Sequence, residues 1–313
     1  MRVDLPNTTV PAISKELVRL REEGGAVALG RVLTLVIVTN PAQAEATIEA
    51  ANAASREHPM RVLVLVESAD AAQGADRVDA EIRVGGDAGA SEVIVLRAHG
   101  AAGDDAESLV TGLLLPDAPV VAWWSGDAPA PVAQSPIGRI AQRRITDIKS
   151  TGGATEAMRG LAASFTRGDT DLAWTRITLW RSQLAAVLDQ PPYEPVERVE
   201  VDGAVDSASA LLLAAWLGLQ LDAPVELRTP HALDEGYGID AVTLVRASGP
   251  IVLARTSRTS AELTQPGQPV HEVALPLRTN RECLAEELRR LDADEVYERV
   301  LTLGIAGPRT VVS

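Results

Sequence analysis

Two hydrophobic patterns alternate along the chain: continuous apolar runs that suit buried strands, and stripes at helical spacing. Ala12 to Glu23 carries Ile13, Leu17, Val18 and Leu20 at helical intervals, and Gly24-Gly25 ends it. Val32 to Val38 is an unbroken β-branched run, as expected of a strand covered on both faces. Thr39-Asn40-Pro41 opens a helix toward Arg56, and Arg61 to Val66 is the next buried strand. Strand, helix, strand at this spacing predicts parallel pairing through a right-handed crossover. Further strands are predicted at Asp79 to Val84, Glu92 to Arg97 and Pro119 to Trp124, with a helix led by Asp104-Asp105 and a short one near Ile137 to Arg143.

Gly152-Gly153 introduces a helix to Phe165, and a longer apolar stripe follows from Leu172 to about Asp189. Past Pro195 the pattern restarts. Val196 to Val201 and Val225 to Arg228 bracket a helix at Ser207 to Leu219, and Ile239 to Ala247 with Pro250 to Thr256 reads as a hairpin around Ser248-Gly249. Pro269 to Arg278 is a last strand, and Asn280 caps a helix ending near Asp292. The expected fold class is therefore α/β in two domains. Residues 1–150 form a Rossmann-like, open, mostly parallel sheet, 151–192 a helical linker, and 193–313 a mixed-sheet α/β domain.

Composition narrows the function classes. The chain has 313 residues, too many for one ordinary core. Its net charge of −14 argues against a nucleic-acid partner, which needs a basic face. Lys15 and Lys149 are the only lysines, so nearly all positive charge is arginine. The single cysteine, Cys283, rules out an internal disulfide and a multi-cysteine metal site within one chain. The opening residues lack the pattern of a secretory signal and the longest apolar run cannot span a bilayer, so the expected location is the cytoplasm, with no membrane partner.

No catalytic motif emerges. Neither the dinucleotide-binding nor the P-loop glycine pattern occurs in its strand-to-helix setting, and there is no nucleophile elbow. His58, His99, His231 and His271 are isolated and lack metal-ligand spacing, so no metal and no cofactor is expected. What stands out is the thirteen-residue stretch Asp169 to Arg181, which holds two of the five tryptophans together with Arg176 and Arg181. Asp169 or Asp171 can cap this helix. At about 100° per residue, Ala173, Ile177, Trp180, Leu184, Val187 and Leu188 share one stripe, Arg176 and Arg181 border it, and Trp174 lies beyond Arg181. The plain reading is a core helix with snorkelling arginines. The sharper reading is a contact surface, since Trp and Arg dominate interface hot spots.

Two other places are candidates. Arg143, Arg144 and Lys149 precede Thr151-Gly152-Gly153 at a helix start, an arrangement able to hold an anion such as a sugar phosphate, or equally a glycine turn with solvated arginines. Trp123-Trp124 ends a strand where open α/β sheets border their ligand crevice, although alternation puts one of the two in the core.

Several stretches together resemble one family. They are Leu17-Val18-Arg19-Leu20-Arg21-Glu22-Glu23-Gly24-Gly25 with Gly30-Arg31-Val32-Leu33-Thr34-Leu35, Ala122-Trp123-Trp124, Arg143-Arg144-Ile145-Thr146-Asp147, and the segment from Asp171 to Arg181. In this order they resemble the glucose-6-phosphate dehydrogenase assembly proteins, OpcA. The resemblance implies a non-catalytic factor of the oxidative pentose phosphate pathway that binds glucose-6-phosphate dehydrogenase and activates it allosterically. Together with the Trp/Arg density and the anion candidate, it makes Trp123, Trp124, Arg143, Arg144, Asp171, Trp174, Arg176, Trp180 and Arg181 the candidate partner- or ligand-binding residues. Thioredoxin-type control, discussed for photosynthetic members, needs a dithiol that Cys283 alone cannot form. The alternative class is a sugar-phosphate or nucleotide-sugar sensor or transferase-like enzyme, and a third reading is a scaffold whose Trp/Arg helix joins its own domains.

Overall fold

The structure, a computed structural model, describes residues 1–23, 30–67, 76–85, 92–103, 105–148, 153–229, 238–305 and 310–312. The chain forms two compact units, and neither is contiguous in sequence. The first comprises Met1–Asp147, Gly168–Thr170 and Asn280–Ala293; the second comprises Ile148–Arg167, Asp171–Thr279 and Asp294–Ser313.

The first unit is built on an eight-stranded sheet. Its elements in chain order are β1 (Arg2–Leu5), α1 (Val10–Glu23), β2 (Leu33–Thr39), α2 (Ala44–Ala54), β3 (Met60–Val66), β4 (Arg77–Arg83), β5 (Glu92–His99), α3 (Ala106–Thr111), β6 (Val120–Trp124), α4 (Pro136–Ile140) and β7 (Arg143–Thr146). The spatial order is β1-β4-β5-β3-β2-β6-β7-β8, with β8 at Asp169–Asp171. Strands β5, β3, β2, β6 and β7 run parallel, whereas β4 and β1 add antiparallel pairs at the edge. Numbered along the chain, the parallel strands read 3-2-1-4-5, the order of a doubly wound Rossmann sheet. The apolar runs explain the centre: every residue of β2 and of β3 is buried, as a strand covered on both faces requires. Asp105 accepts the Ser108 N–H and starts α3, which stops at Thr111.

The edges depart from the expectation. β1 was not anticipated, and β7 and β8 lie in segments that read as a motif and a helix cap. Gly168 joins that edge. Its carbonyl accepts the Arg144 N–H at 2.9 Å, its φ is +100°, and a Cβ there would stand 2.5 Å from the Gln142 carbonyl oxygen. Gly168→Ala is expected to cost about 1–3 kcal/mol, because both the conformation and the space exclude a side chain. Chemical denaturation measures this, and an unchanged midpoint would refute it.

The second unit contains α5 (Ala154–Ser164), α6 (Leu172–Arg176), α7 (Thr178–Leu188), β9 (Arg198–Gly203), α8 (Ala208–Leu221), β10 (Val225–Arg228), β11 (Ile239–Val245), β12 (Ile251–Arg255), β13 (Ser260–Thr264) and β14 (His271–Ala274). α9 (Asn280–Arg289) belongs to the first unit and packs on α2; α10 (Glu295–Arg299) and β15 (Thr310–Val312) return to the second. The seven-stranded sheet has the order β14-β13-β12-β11-β9-β10-β15. β9, β10 and β15 are parallel, and β11 to β14 form an antiparallel meander that includes the expected hairpin. Strands β13 and β15 were not anticipated. α8 is apolar nearly all round and correspondingly buried, with Leu212, Leu213 and Leu217 inside the core.

The long helix expected from Leu172 to Asp189 is two helices. Ile177, with φ −90° and ψ 5°, breaks the run between α6 and α7. The break rotates Trp174 into the interior although ideal spacing puts it off the apolar stripe; it is 1% exposed.

Candidate functional site

Within the second unit, the Trp/Arg segment packs inward. Asp171 is fully buried; its Oδ1 accepts the Ala173 N–H at 2.8 Å and its Oδ2 the Ile148 N–H at 3.0 Å. It therefore starts α6 as the sequence suggested and also pins the chain entering the unit. Trp174 donates its indole N–H to Asp294 Oδ2 at 2.8 Å, and Tyr297 lies against its ring at 5.8 Å between centroids. The Arg181 guanidinium sits 3.6 Å from the Trp174 ring centroid, a close cation–π stack. Trp180 is buried too, with Arg255 5.5 Å from its ring centroid. Of this group only Arg176 and Arg181 are half-buried and reach solvent. Arg278, which sequence reasoning passed over, donates to the Thr175 carbonyl oxygen at 2.7 Å and so ties the end of β14's following segment to α6.

In the first unit, Arg143 and Arg144 are interior. Arg143 donates through Nε and Nη2 to Glu287 and through Nη1 to the Asp292 carbonyl oxygen at 2.7 Å. Arg144 donates to the Asp169 carboxylate and, at 2.7 Å, to the Ala141 carbonyl oxygen. Each guanidinium thus faces a carboxylate of its own unit, which removes the net charge that a sugar phosphate would have used. Lys149, Thr151 and Gly152, the rest of that candidate, lie outside the described residues. The start of α5 already holds an anion: Asp206 accepts the N–H groups of Ala154 at 2.8 Å and Thr155 at 2.7 Å. The Thr155 hydroxyl, then the backbone N–H groups, hold the Asp206 carboxyl below its ordinary range.

Trp123 and Trp124 end β6 and are both buried, so neither is half exposed as alternation suggested. They abut the position where the strand order reverses, between β2 and β6, which is where doubly wound folds bind dinucleotides. Here the strand-to-helix turn is Asn40-Pro41-Ala42-Gln43, and the Asn40 side chain accepts the Gln43 N–H at 3.0 Å. Buried hydroxyls close the spot further: Ser125 donates to Thr39 at 2.8 Å, and Thr47 donates to Ser125 at 3.3 Å. A glycine turn lets backbone approach a pyrophosphate; an Asn-Pro turn with side chains over it does not. In the sequence Thr39-Asn40-Pro41 after an apolar run read only as the opening of a helix, and the hydroxyl partners were not legible.

Among the described residues no group of three or more His, Cys, Asp or Glu side chains is placed to hold a metal, and none of the described helices is long and apolar enough to cross a membrane. Residues 51–163 match the family model described as the glucose-6-phosphate dehydrogenase subunit N-terminal domain, and residues 167–301 match that of the C-terminal domain. No curated protein matches the sequence significantly. Among solved structures, the chain is similar to a glucose-6-phosphate 1-dehydrogenase from Mycobacterium avium, at 12% identity and a TM-score of 0.40, over 91% of this chain and 94% of that one. It is also similar to an NAD binding oxidoreductase from Klebsiella pneumoniae, at 12% identity and a TM-score of 0.45, over 87% and 94%. A myo-inositol dehydrogenase from Lactobacillus casei is similar at 14% identity and a TM-score of 0.39, over 88% and 93%.

Proposed function

The chain belongs to the glucose-6-phosphate dehydrogenase subunit and assembly family, OpcA, and from that premise we propose that it is a non-catalytic partner of glucose-6-phosphate dehydrogenase. It binds the dehydrogenase and shifts it toward a state with better substrate affinity or turnover. Such a shift requires tighter binding to the active state than to the inactive one. The observation that carries this reading is the family match, which runs through both units. The Asn-Pro turn at the strand reversal adds support, since it lacks the glycines of a dinucleotide-binding turn and its Gln43 N–H is already accepted by Asn40. The cytoplasm is the compartment this role implies.

Within the candidate constellation, we assign the contact edge to Arg176 and Arg181, with Trp174 and Trp180 beneath as supports. Arg181 is held by its guanidinium lying 3.6 Å from the Trp174 ring centroid and by donation to the Thr178 hydroxyl at 3.3 Å. The test mixes the purified full chain with its cognate dehydrogenase and reads complex mass and substrate-saturation curves. A complex with a lowered KM or raised kcat is expected. No complex, or turnover of glucose 6-phosphate by the chain alone, would overturn the reading. Arg176→Ala and Arg181→Ala are each expected to weaken activation by about fivefold or more, the scale of a typical coupling energy. Circular dichroism should show the fold retained. Full activation by both variants removes them from the contact.

A further inference from the structure

At the amino ends of β3 and β5, three guanidinium groups converge on a single buried carboxylate. Arg61 and Glu92 are register partners on adjacent parallel strands. Glu92 Oε2 accepts Nε of Arg61 at 3.2 Å, Nη2 of Arg61 at 3.0 Å and Nη2 of Arg21 at 2.9 Å. Its Oε1 accepts Nε of Arg21 at 2.5 Å and Nη2 of Arg31 at 2.5 Å. A carboxylate offers about four lone-pair sites, so Glu92 is saturated. Arg61 is further satisfied by the Leu113 carbonyl oxygen at 2.6 Å. For Nε and Nη1 of Arg31 and Nη1 of Arg21, no acceptor is recorded among the described residues. Exposure rises outward: the Glu92 side chain is 4% accessible, Arg61 9%, Arg31 19% and Arg21 37%. The cluster is a charged floor with two open-handed arginines at its mouth.

The charge does not balance. Among the described residues three cations face one anion, in a chain that is acidic as a whole. Burial, eased by Glu92, lowers the pKa of Arg31 and of Arg61, as expected where guanidinium groups are desolvated beside one another. Burial pushes the Glu92 carboxyl up, but the Arg21 hydrogen bond and the charges of Arg61 and Arg31 outweigh it and hold the group below its ordinary range. Among the described residues the excess is two positive charges.

We propose that this cluster binds a phosphate dianion, with Arg31 and Arg21 supplying the outward donors and the Arg61–Glu92 pair fixing their planes. A dianion brings the local charge to zero, which a monoanionic carboxylate does not, and guanidinium forks match tetrahedral oxyanions at two points. The position lies at the amino ends of the parallel strands, opposite the strand reversal. It also gives Arg21 and Arg31, from the two halves of one sequence motif, a joint target that the motif alone does not reveal.

The experiment uses the isolated full chain and no dehydrogenase, so its result does not depend on the assembly reading. Inorganic phosphate and glucose 6-phosphate are titrated by calorimetry and by thermal unfolding, against chloride at matched ionic strength. Saturable binding of either probe is expected, weakened about tenfold or more in Arg31→Gln, the loss of one charge-assisted contact. Tighter binding of the ester than of inorganic phosphate identifies the source as a phosphorylated metabolite; equal binding identifies the free ion. Arg21→Gln should weaken binding in the same direction, which guards against a folding failure of either variant alone. Responses no different from chloride, or phosphate binding undiminished in both variants, would overturn the proposal and leave the cluster a structural clasp between α1 and the sheet.

Discussion

Replacing Glu287 by glutamine is expected to destabilise the protein by about 3–5 kcal/mol, lowering the thermal midpoint by roughly 6–20 °C. The substitution keeps the side chain's shape and removes only its charge. Arg143 is then left with the Asp292 carbonyl oxygen and a neutral amide in a place where its side chain is 4% exposed. A buried guanidinium without a carboxylate carries its full desolvation cost, whereas the same pair on the surface would be worth little. The double replacement Arg143→Met with Glu287→Leu separates charge from packing. It should recover most of the loss, because no ion remains to be compensated. Denaturation curves of the two variants and the parent decide the matter. A Glu287→Gln midpoint equal to the parent's would show that water reaches Arg143.

Trp174→Ala should cost a similar amount, about 3–5 kcal/mol, as expected for a large buried side chain removed from a packed core. Its effect spreads, because the ring holds three partners at once: Tyr297 against it, Arg181 across its face, and Asp294 on its N–H. Asp294 also accepts the Val296 and Tyr297 N–H groups through Oδ1 and so starts α10. Trp174→Phe keeps a ring under Arg181 but strands Asp294 Oδ2, and should cost about 1–3 kcal/mol. The ordering Ala, then Phe, then parent is the measurable claim. If Phe is as damaging as Ala, the indole hydrogen bond matters more than the packing.

How much of this could be read beforehand depends on the range of the interactions. The crossovers joining β2, β3 and β6 were legible because each central strand is an apolar run whose residues are all buried. β7 and β8 were not, because Arg-Arg-Ile-Thr read as part of an anion candidate and Asp-Thr-Asp as a helix cap. Their burial depends on partners that sequence does not pair: Arg143 finds its carboxylate 144 positions away. The Trp/Arg stretch was legible as a concentration of unusual residues, and Asp171 as a cap. That Trp174 points inward was not, since ideal spacing carries no sign of the break at Ile177. Arg21 and Arg31 stood out as motif residues, yet Glu92, distant in sequence, is what brings them together.

The return of Asn280–Ala293 to the first unit sets the order of events on the ribosome. Helix α9 carries Glu287, so the sheet that begins at Arg2 has Arg143 in place long before the carboxylate that neutralises it has been translated. Domains commonly settle as they emerge, amino-terminal part first. Here the first unit lacks the carboxylate that pairs with Arg143 until translation has passed Glu287. A fragment cut at Asp147 would inherit that unfinished state permanently.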